Sequence, residues 1–158
     1  MTRSLAVLFV CMGNICRSPL AEAAFRDVAG RAGLDVVVDS AGTGNWHAGS
    51  APDRRACAVA LRHGMDISRL RARMVRPADF EYFTHIVALD HANLAHLRAM
   101  QPAGSRAQLS LLLDHVPGRQ GHAVADPYYG DASGFETTWC DVTAGAQALV
   151  GKLQKDGA

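Results

Sequence analysis

The stretch that most constrains this chain is its first apolar run and what ends it. Leu5 to Val10 read LAVLFV, with no polar residue to turn toward water, so the run suits a strand covered on both faces. It stops at Cys11, crosses the short segment MGNIC, and arrives at Arg17, Ser18 and Pro19. Ser18 and Pro19 read as the N-cap and first position of a helix. A buried strand turning directly into a helix is the repeating unit of parallel α/β folds.

The rest of the chain keeps that alternation. LAEAAFRDVAGRAG continues the first helix to about Gly33, and DVVVDS (Asp35 to Ser40) is a second β-branched run. The glycine-rich AGTGNWHAGSAP follows, and Asp53 caps a helix that stops at Gly64. HIVAL (His85 to Leu89) predicts a third strand, ANLAHLRAM a helix stopped by Pro102, and AQLSLLL (Ala107 to Leu113) a fourth strand. Phe135, Trp139, Val142, Ala146, Leu149 and Leu153 recur at helical spacing and predict a core-facing stripe. The expectation is one α/β domain over residues 1–158, a parallel sheet with helices on both faces. In such sheets ligands bind beyond the carboxyl ends of the strands, where the opening stretch lies.

Composition narrows the function classes. The net charge of +1 argues against a broad electrostatic grip on nucleic acid or membrane, though not against a local basic pocket. No stretch approaches membrane-spanning length. The N-terminal apolar run is short for a leader and is followed by GNICRSP instead of a small-residue cleavage site. Four cysteines without close paired spacing do not form a secreted disulfide framework. The cytoplasm is the expected compartment and a monomer the expected state.

The loop from Cys11 to Ser18 is suited to an anion. Gly13 takes any backbone dihedral, and Asn14 tolerates the left-handed region better than most residues. A tight turn through Met12, Gly13, Asn14, Ile15 and Cys16 can aim successive N–H groups inward as a nest, and the following helix adds its positive end. Arg17 supplies a planar fork for two phosphoryl oxygens. Cys11, facing that cradle, is the expected thiolate nucleophile, and Ser18 can cap the helix or donate its hydroxyl to the sulfur. A nucleotide P-loop lacks its Gly-Lys-Ser/Thr ending here, and a metal site lacks further paired ligands, so neither metal nor cofactor is expected.

VCMGNICRSP resembles the signature of the low-molecular-weight protein tyrosine phosphatases, and DSAGTGNWHAG, PDRRA, RHG and DPYYGDASGFE continue the likeness along the chain. The resemblance implies a four-stranded parallel sheet, no metal, and a phosphocysteine intermediate. Asp126 in DPYYG reads alone as a turn starter. The resemblance makes it the general acid for the leaving phenol, then the base for water. It also places Trp46 and Tyr129, with Tyr128 beside them, around a slot deep enough to favour phosphotyrosine, and has Asn14 and Ser40 support the loop.

Family members often carry a histidine in that support, within Ser-x-His-Arg-Ala-Arg-Gln. Here SRLRARM puts Leu70 at the histidine and Met74 at the glutamine. Cys16 reads either as a small buried hydrophobe or, as the resemblance implies, as a thiol that forms a protective disulfide with oxidised Cys11. Cys57 and Cys140 read as core or inert, His63 as a helix-dipole partner, and Asp90 and Asn93 as turn and cap residues. The expected partners are a phosphotyrosine protein and phosphate- or vanadate-type anions in the loop. Two other functions share the cradle: an arsenate reductase, which needs a relay of further cysteines, and a silent phosphotyrosine or oxyanion binder, which would have no use for Cys11 or Asp126.

Overall fold

The computed structural model describes residues 4–156; Met1 to Arg3, at the start of the segment weighed as a leader, lie outside them. The LAVLFV run forms β1 (Ala6–Cys11), in which Val7, Leu8, Phe9 and Val10 are wholly buried. It sits inside a four-stranded sheet of order β2-β1-β3-β4, with β2 at Val37–Gly42, β3 at His85–Ala88 and β4 at Gln108–Leu111. All three pairings are parallel.

Strand alternation divides β1 between two cores. Val7, Phe9 and Cys11 pack into one cluster with α1 (Arg17–Arg31), α2 (Arg54–Arg62) and the long α5 (Ser133–Asp156). Ala6, Leu8 and Val10 face the other, which holds Phe80 of α3 (Asp79–Tyr82) and Leu94 and Leu97 of α4 (His91–Met100). Helices therefore cover both faces, as the unbroken apolar strand requires. From β1 the chain goes to β2 on one side and then to β3 on the other, so the strand order reverses beside β1. The crevice at the carboxyl ends of β1 and β3 is where such a fold binds ligands.

Several boundaries differ from the expectation, for identifiable reasons. α1 begins at Arg17 with Cys16 as its cap residue, so Ser18 and Pro19 lie within the first turn instead of at its cap and first position. The Ser18 hydroxyl is engaged by Cys11 and Asn14 and leaves no cap bond. Pro19 is harmless there, because the first N–H groups of a helix have no intrahelical partner. β2 runs two residues later than Asp35–Ser40, which carries Gly42 alongside Cys11. The fourth strand stops at Leu111, and Leu112–His115 form a short 3-10 turn. There Leu112 fills a notch over Gly145 of α5, where an added Cβ would lie 2.5 Å from the leucine. The predicted stripe of α5 is buried at every position, whereas Cys140 on the same helix is exposed and not in the core. No helix of the described residues is long and apolar enough to cross a membrane.

Candidate active site

The loop after β1 is built with its carbonyls outward. Cys11 O accepts from Thr43 N, Met12 O from Gly44 N, Ile15 O from Asp53 N, and Cys16 O from Leu20 N. Among the described residues, no backbone N–H from Met12 to Arg17 donates to another protein group. Outward carbonyls with unpaired N–H groups on the inner side are what an anion nest requires. Asn14 makes the turn possible by taking φ 58°, the left-handed conformation its short polar side chain tolerates. Gly42 at the end of β2 lets the loop come close, since a Cβ there would sit 2.7 Å from Met12 O.

The side chains of the loop are buried and mutually bonded. Cys11 Sγ lies 3.0 Å from Ser18 Oγ. Asn14 Nδ2 donates to Ser18 Oγ at 2.7 Å and to Ser40 Oγ at 3.0 Å, while Asn14 Oδ1 accepts from Arg73 N at 3.1 Å. Ser40 thus meets the Asn14 side chain and not the loop backbone, and its own hydroxyl donates to Glu22 at 2.7 Å. Leu70 is partly buried and packs against the apolar core.

Arg17 is 3% exposed and held from one side. Its Nη1 donates to Asp90 Oδ2 at 2.7 Å and to Val124 O at 3.1 Å, and its Nη2 lies 3.5 Å from Asp126 Oδ2. Burial alone would lower its pKa; Cys11, Asp90 and Asp126 together more than offset this and hold it above the ordinary value. Asp90 does cap α4, accepting from Asn93 N at 2.7 Å through Oδ1. Its other oxygen orients Arg17, a role a cap reading conceals. The position of Asp90 just past β3, at the carboxyl edge beside β1, is the signal that points to it.

The pocket over this loop is lined by Cys11, Arg17 and Asp126 among others, so the three residues expected to carry the chemistry converge. Met12, Gly13, Ile15 and Cys16 line it as well. Its walls are Tyr128, Tyr129 and His47, the last unforeseen by sequence reasoning. Trp46 lies outside the lining, 69% exposed, with its ring over Gly44, where a Cβ would fall within the ring. His47, the next residue, takes the inner position, its ring 6.4 Å from that of Tyr128. A Cβ on Gly13 would press against that histidine at 3.0 Å, which favours glycine here beyond its freedom of dihedral.

Of the remaining candidates, Cys16 stays with the site, whereas His63, Cys57 and Cys140 separate from it. Burial pushes the Cys16 thiol well above the ordinary thiol range, with Asp53 and Cys11 adding to the shift. His63 closes α2 against α5, bonding Glu136 at 3.1 Å and stacking on Trp139 at 5.0 Å. Cys57, on α2, is half-buried, and neither it nor Cys140 lines the pocket. Among the described residues no cluster of His, Cys, Asp or Glu is arranged to hold a metal ion.

Known proteins with this arrangement are close at hand. A relative from Schizosaccharomyces pombe, a low molecular weight phosphotyrosine protein phosphatase, is 44% identical over 85% of this chain and 88% of its own. The low molecular weight protein-tyrosine-phosphatase YfkJ of Bacillus subtilis is 38% identical over 96% and 97%. The crystal structure of an Entamoeba histolytica protein tyrosine phosphatase with Hepes in its active site superposes with a TM-score of 0.92 at 32% identity, covering 98% of this chain and all of that one. The sequence profile for low molecular weight phosphotyrosine protein phosphatases matches residues 6–158, and the chain belongs to that family.

Proposed function

We propose that this protein hydrolyses phosphotyrosine in proteins through a phosphocysteine intermediate, with Cys11 as nucleophile, Arg17 as phosphate clamp and Asp126 as general acid and base. The observation that carries this is the convergence of the three on one pocket, with Cys11 Sγ 3.0 Å from the buried Ser18 hydroxyl.

The phosphoryl group seats in the nest, its oxygens bonded by the free N–H groups of residues 12–17 and by the Arg17 fork. The Cys11 thiolate attacks phosphorus from below, and the Ser18 hydroxyl stabilises its charge before attack and again when sulfur leaves. The bond from phosphorus to the phenolic oxygen breaks, and Asp126 gives that oxygen its proton. A water then attacks the phosphocysteine, Asp126 takes a proton from it, and inorganic phosphate departs as the thiolate re-forms. The nest and clamp match developing charge without reorganising, which is the larger share of the catalysis. The apolar surface of Ile15, Tyr128 and Tyr129 suits a phenyl ring, and Trp46 stands outside it as the wall for the substrate's flanking chain. Asn14 and Ser40 hold the loop, and oxidised Cys11 has Cys16 beside it as resolving thiol. The protein acts as a monomeric, single-domain cytoplasmic enzyme without a cofactor.

Rapid acid quench during turnover of p-nitrophenyl phosphate, followed by mass analysis, tests this reading. The expected result is a phosphoryl group on the peptide that carries Cys11. Turnover with no covalent phosphoenzyme, or with phosphate on another residue, overturns it. A thiol-dependent reduction of arsenate that exceeds ester hydrolysis would point to the reductase instead.

A further inference from the structure

A single exposed apolar side chain is ordinary on a protein surface, whereas a cluster of them at one place marks a contact. Among the described residues eight large apolar side chains are left exposed, and five of them, Met12, Trp46, Met74, Tyr128 and Tyr129, come from segments that border the pocket. Met12, Tyr128 and Tyr129 line it, and Trp46 precedes the lining residue His47. Met74 has no part in the site described above, yet it is 46% exposed, against 43% for Met12.

Backbone pairing fixes where Met74 stands. Gly42 lies in register with Cys11 on one side and, through an isolated parallel bridge, with Met74 on the other. Two strand spacings, about 10 Å, therefore separate Met74 from the nucleophile. The segment is pinned on both sides of it, since Gly42 N donates to Arg73 O and Val75 N to Gly42 O, each at 2.8 Å. Alternation along the segment gives the direction of the side chain. Leu8 faces the second core, Asp39 is beside Leu8 in register, and Arg73 donates to Asp39 at 3.1 Å, so Arg73 points to that face. Met74, one residue on, points to the other, where Cys11 and the nest lie. Gly42, between Met74 and the loop, has no side chain to part them. Met12 O in turn accepts from Gly44 N, and the Trp46 ring lies over Gly44.

We infer that Met12, Met74 and Trp46 form an apolar shelf at the mouth of the pocket, and that Met74 is a specificity-determining residue that receives a large apolar side chain near the phosphotyrosine of the substrate protein. This rests on the reading of the pocket as a phosphotyrosine site. A phenyl ring seated with its phosphate in the nest leaves the substrate's backbone at the rim, and the shelf continues from that rim through Met12. The distance to Met74 is covered by about three residues of extended chain, so the side chain it receives lies within three positions of the phosphotyrosine. Methionine suits such a place, because an unbranched thioether adapts to leucine, isoleucine or phenylalanine alike.

The test walks a single leucine through phosphotyrosine peptides otherwise flanked by serine and glycine, from three positions before the phosphotyrosine to three after it. kcat/KM is measured with the native chain, Met74→Gln and Met74→Leu. At one or two positions leucine should raise kcat/KM about three- to tenfold over serine, chiefly through KM. Met74→Gln, equally long but polar, should erase that gain, and Met74→Leu should keep most of it. Both variants should hydrolyse p-nitrophenyl phosphate, which has no flanking residue, within about twofold of the native chain. A leucine gain at no position, or one that survives Met74→Gln, overturns the inference. So does an equal loss on p-nitrophenyl phosphate, which would place the effect in the loop and not on the substrate. Dimerisation of the native chain that Met74→Gln weakens, read by analytical ultracentrifugation, would assign the shelf to a second copy and overturn it as well. Binding of the same phosphopeptides, read by fluorescence anisotropy, needs no turnover. An absence of hydrolysis would therefore fail the functional reading, while the leucine preference in binding still decides this one.

Discussion

The two loops that meet over the pocket are held in opposite ways. The loop of Cys11 to Ser18 is interior: Asn14, Cys16, Arg17 and Ser18 are all buried, and its side chains are bonded to β2, to α1 and to the ends of β3 and α4. The segment from Asp126 to Gly130 is at the surface, with Tyr129 87% exposed. Its internal bonds are a turn in which Asp126 Oδ1 accepts from Tyr128 N and one bond from Gly130 N to Pro127 O. The difference matches what each contributes. Electrostatic stabilisation of a transferring phosphoryl group works best when nothing has to move. Proton delivery to a leaving group that differs between substrates tolerates, and for entry and exit requires, a less stable segment.

The largest effects should come from the interior loop's reacting atom. Cys11→Ser should abolish measurable turnover while leaving orthovanadate or phosphate binding, read by calorimetry, near the parent level; binding lost together with turnover would show that the sulfur shapes the nest and does not merely react. Asp126→Ala comes next. It should slow phosphotyrosine hydrolysis by about 10²–10⁴-fold, the worth of a positioned acid, and p-nitrophenyl phosphate less, since nitrophenolate leaves without a proton. Equal losses on both in single-turnover kinetics would reduce Asp126 to a turn residue. Arg17→Lys should cost about 10²–10³-fold in kcat on either substrate, because a point charge cannot replace the fork and leaves Asp90 imperfectly paired. Undiminished turnover in the lysine variant would mean that the N–H groups alone hold the phosphoryl group.

That contrast also explains what could be read in the sequence. The strand, the turn and the helix that make the interior loop are contiguous, so LAVLFV, Asn14 and Arg17 reveal it locally. The two carboxylates around Arg17 come from elsewhere in the chain. Asp90 is fully accounted for as a cap until its second oxygen is seen on Arg17. Asp126 is a turn residue by every local criterion, and only the likeness to a family singled it out. Glu22 sits in LAEAAFR as an ordinary helix residue; the Ser40 hydroxyl that draws it inward belongs to another strand. The choice between Trp46 and His47 as the inner ring is decided by how the glycine-rich loop folds over Gly44, which neighbouring aromatic residues in a sequence do not disclose.

The smallest effect, and the one that most sharpens the comparison, concerns how the two loops are kept in register. Arg55 of α2 donates to Tyr128 O at 3.0 Å and to Gly130 O at 3.3 Å, and its guanidinium lies over Phe135 at 4.7 Å. Its other donors are taken by Asp53, which is both the N-cap of α2 and, through its backbone N–H, a partner of Ile15 O in the interior loop. Asp53 is held below the usual carboxylate range, chiefly by the bond from Arg55. One ion pair therefore bridges the rigid loop to the exposed one. Arg55→Ala releases two exposed hydrogen bonds, so the acid segment should spend less time in register, with a loss of about three- to tenfold in kcat on phosphotyrosine. The alkylation rate of Cys11 should not change, because nothing in the interior loop's side-chain network is touched. In an Asp126→Ala background the same substitution should have little further effect, since Arg55 acts through the acid it holds. A full additional loss in that background would mean that Arg55 reaches the substrate itself, and a change in Cys11 alkylation would mean that the two loops are not held independently.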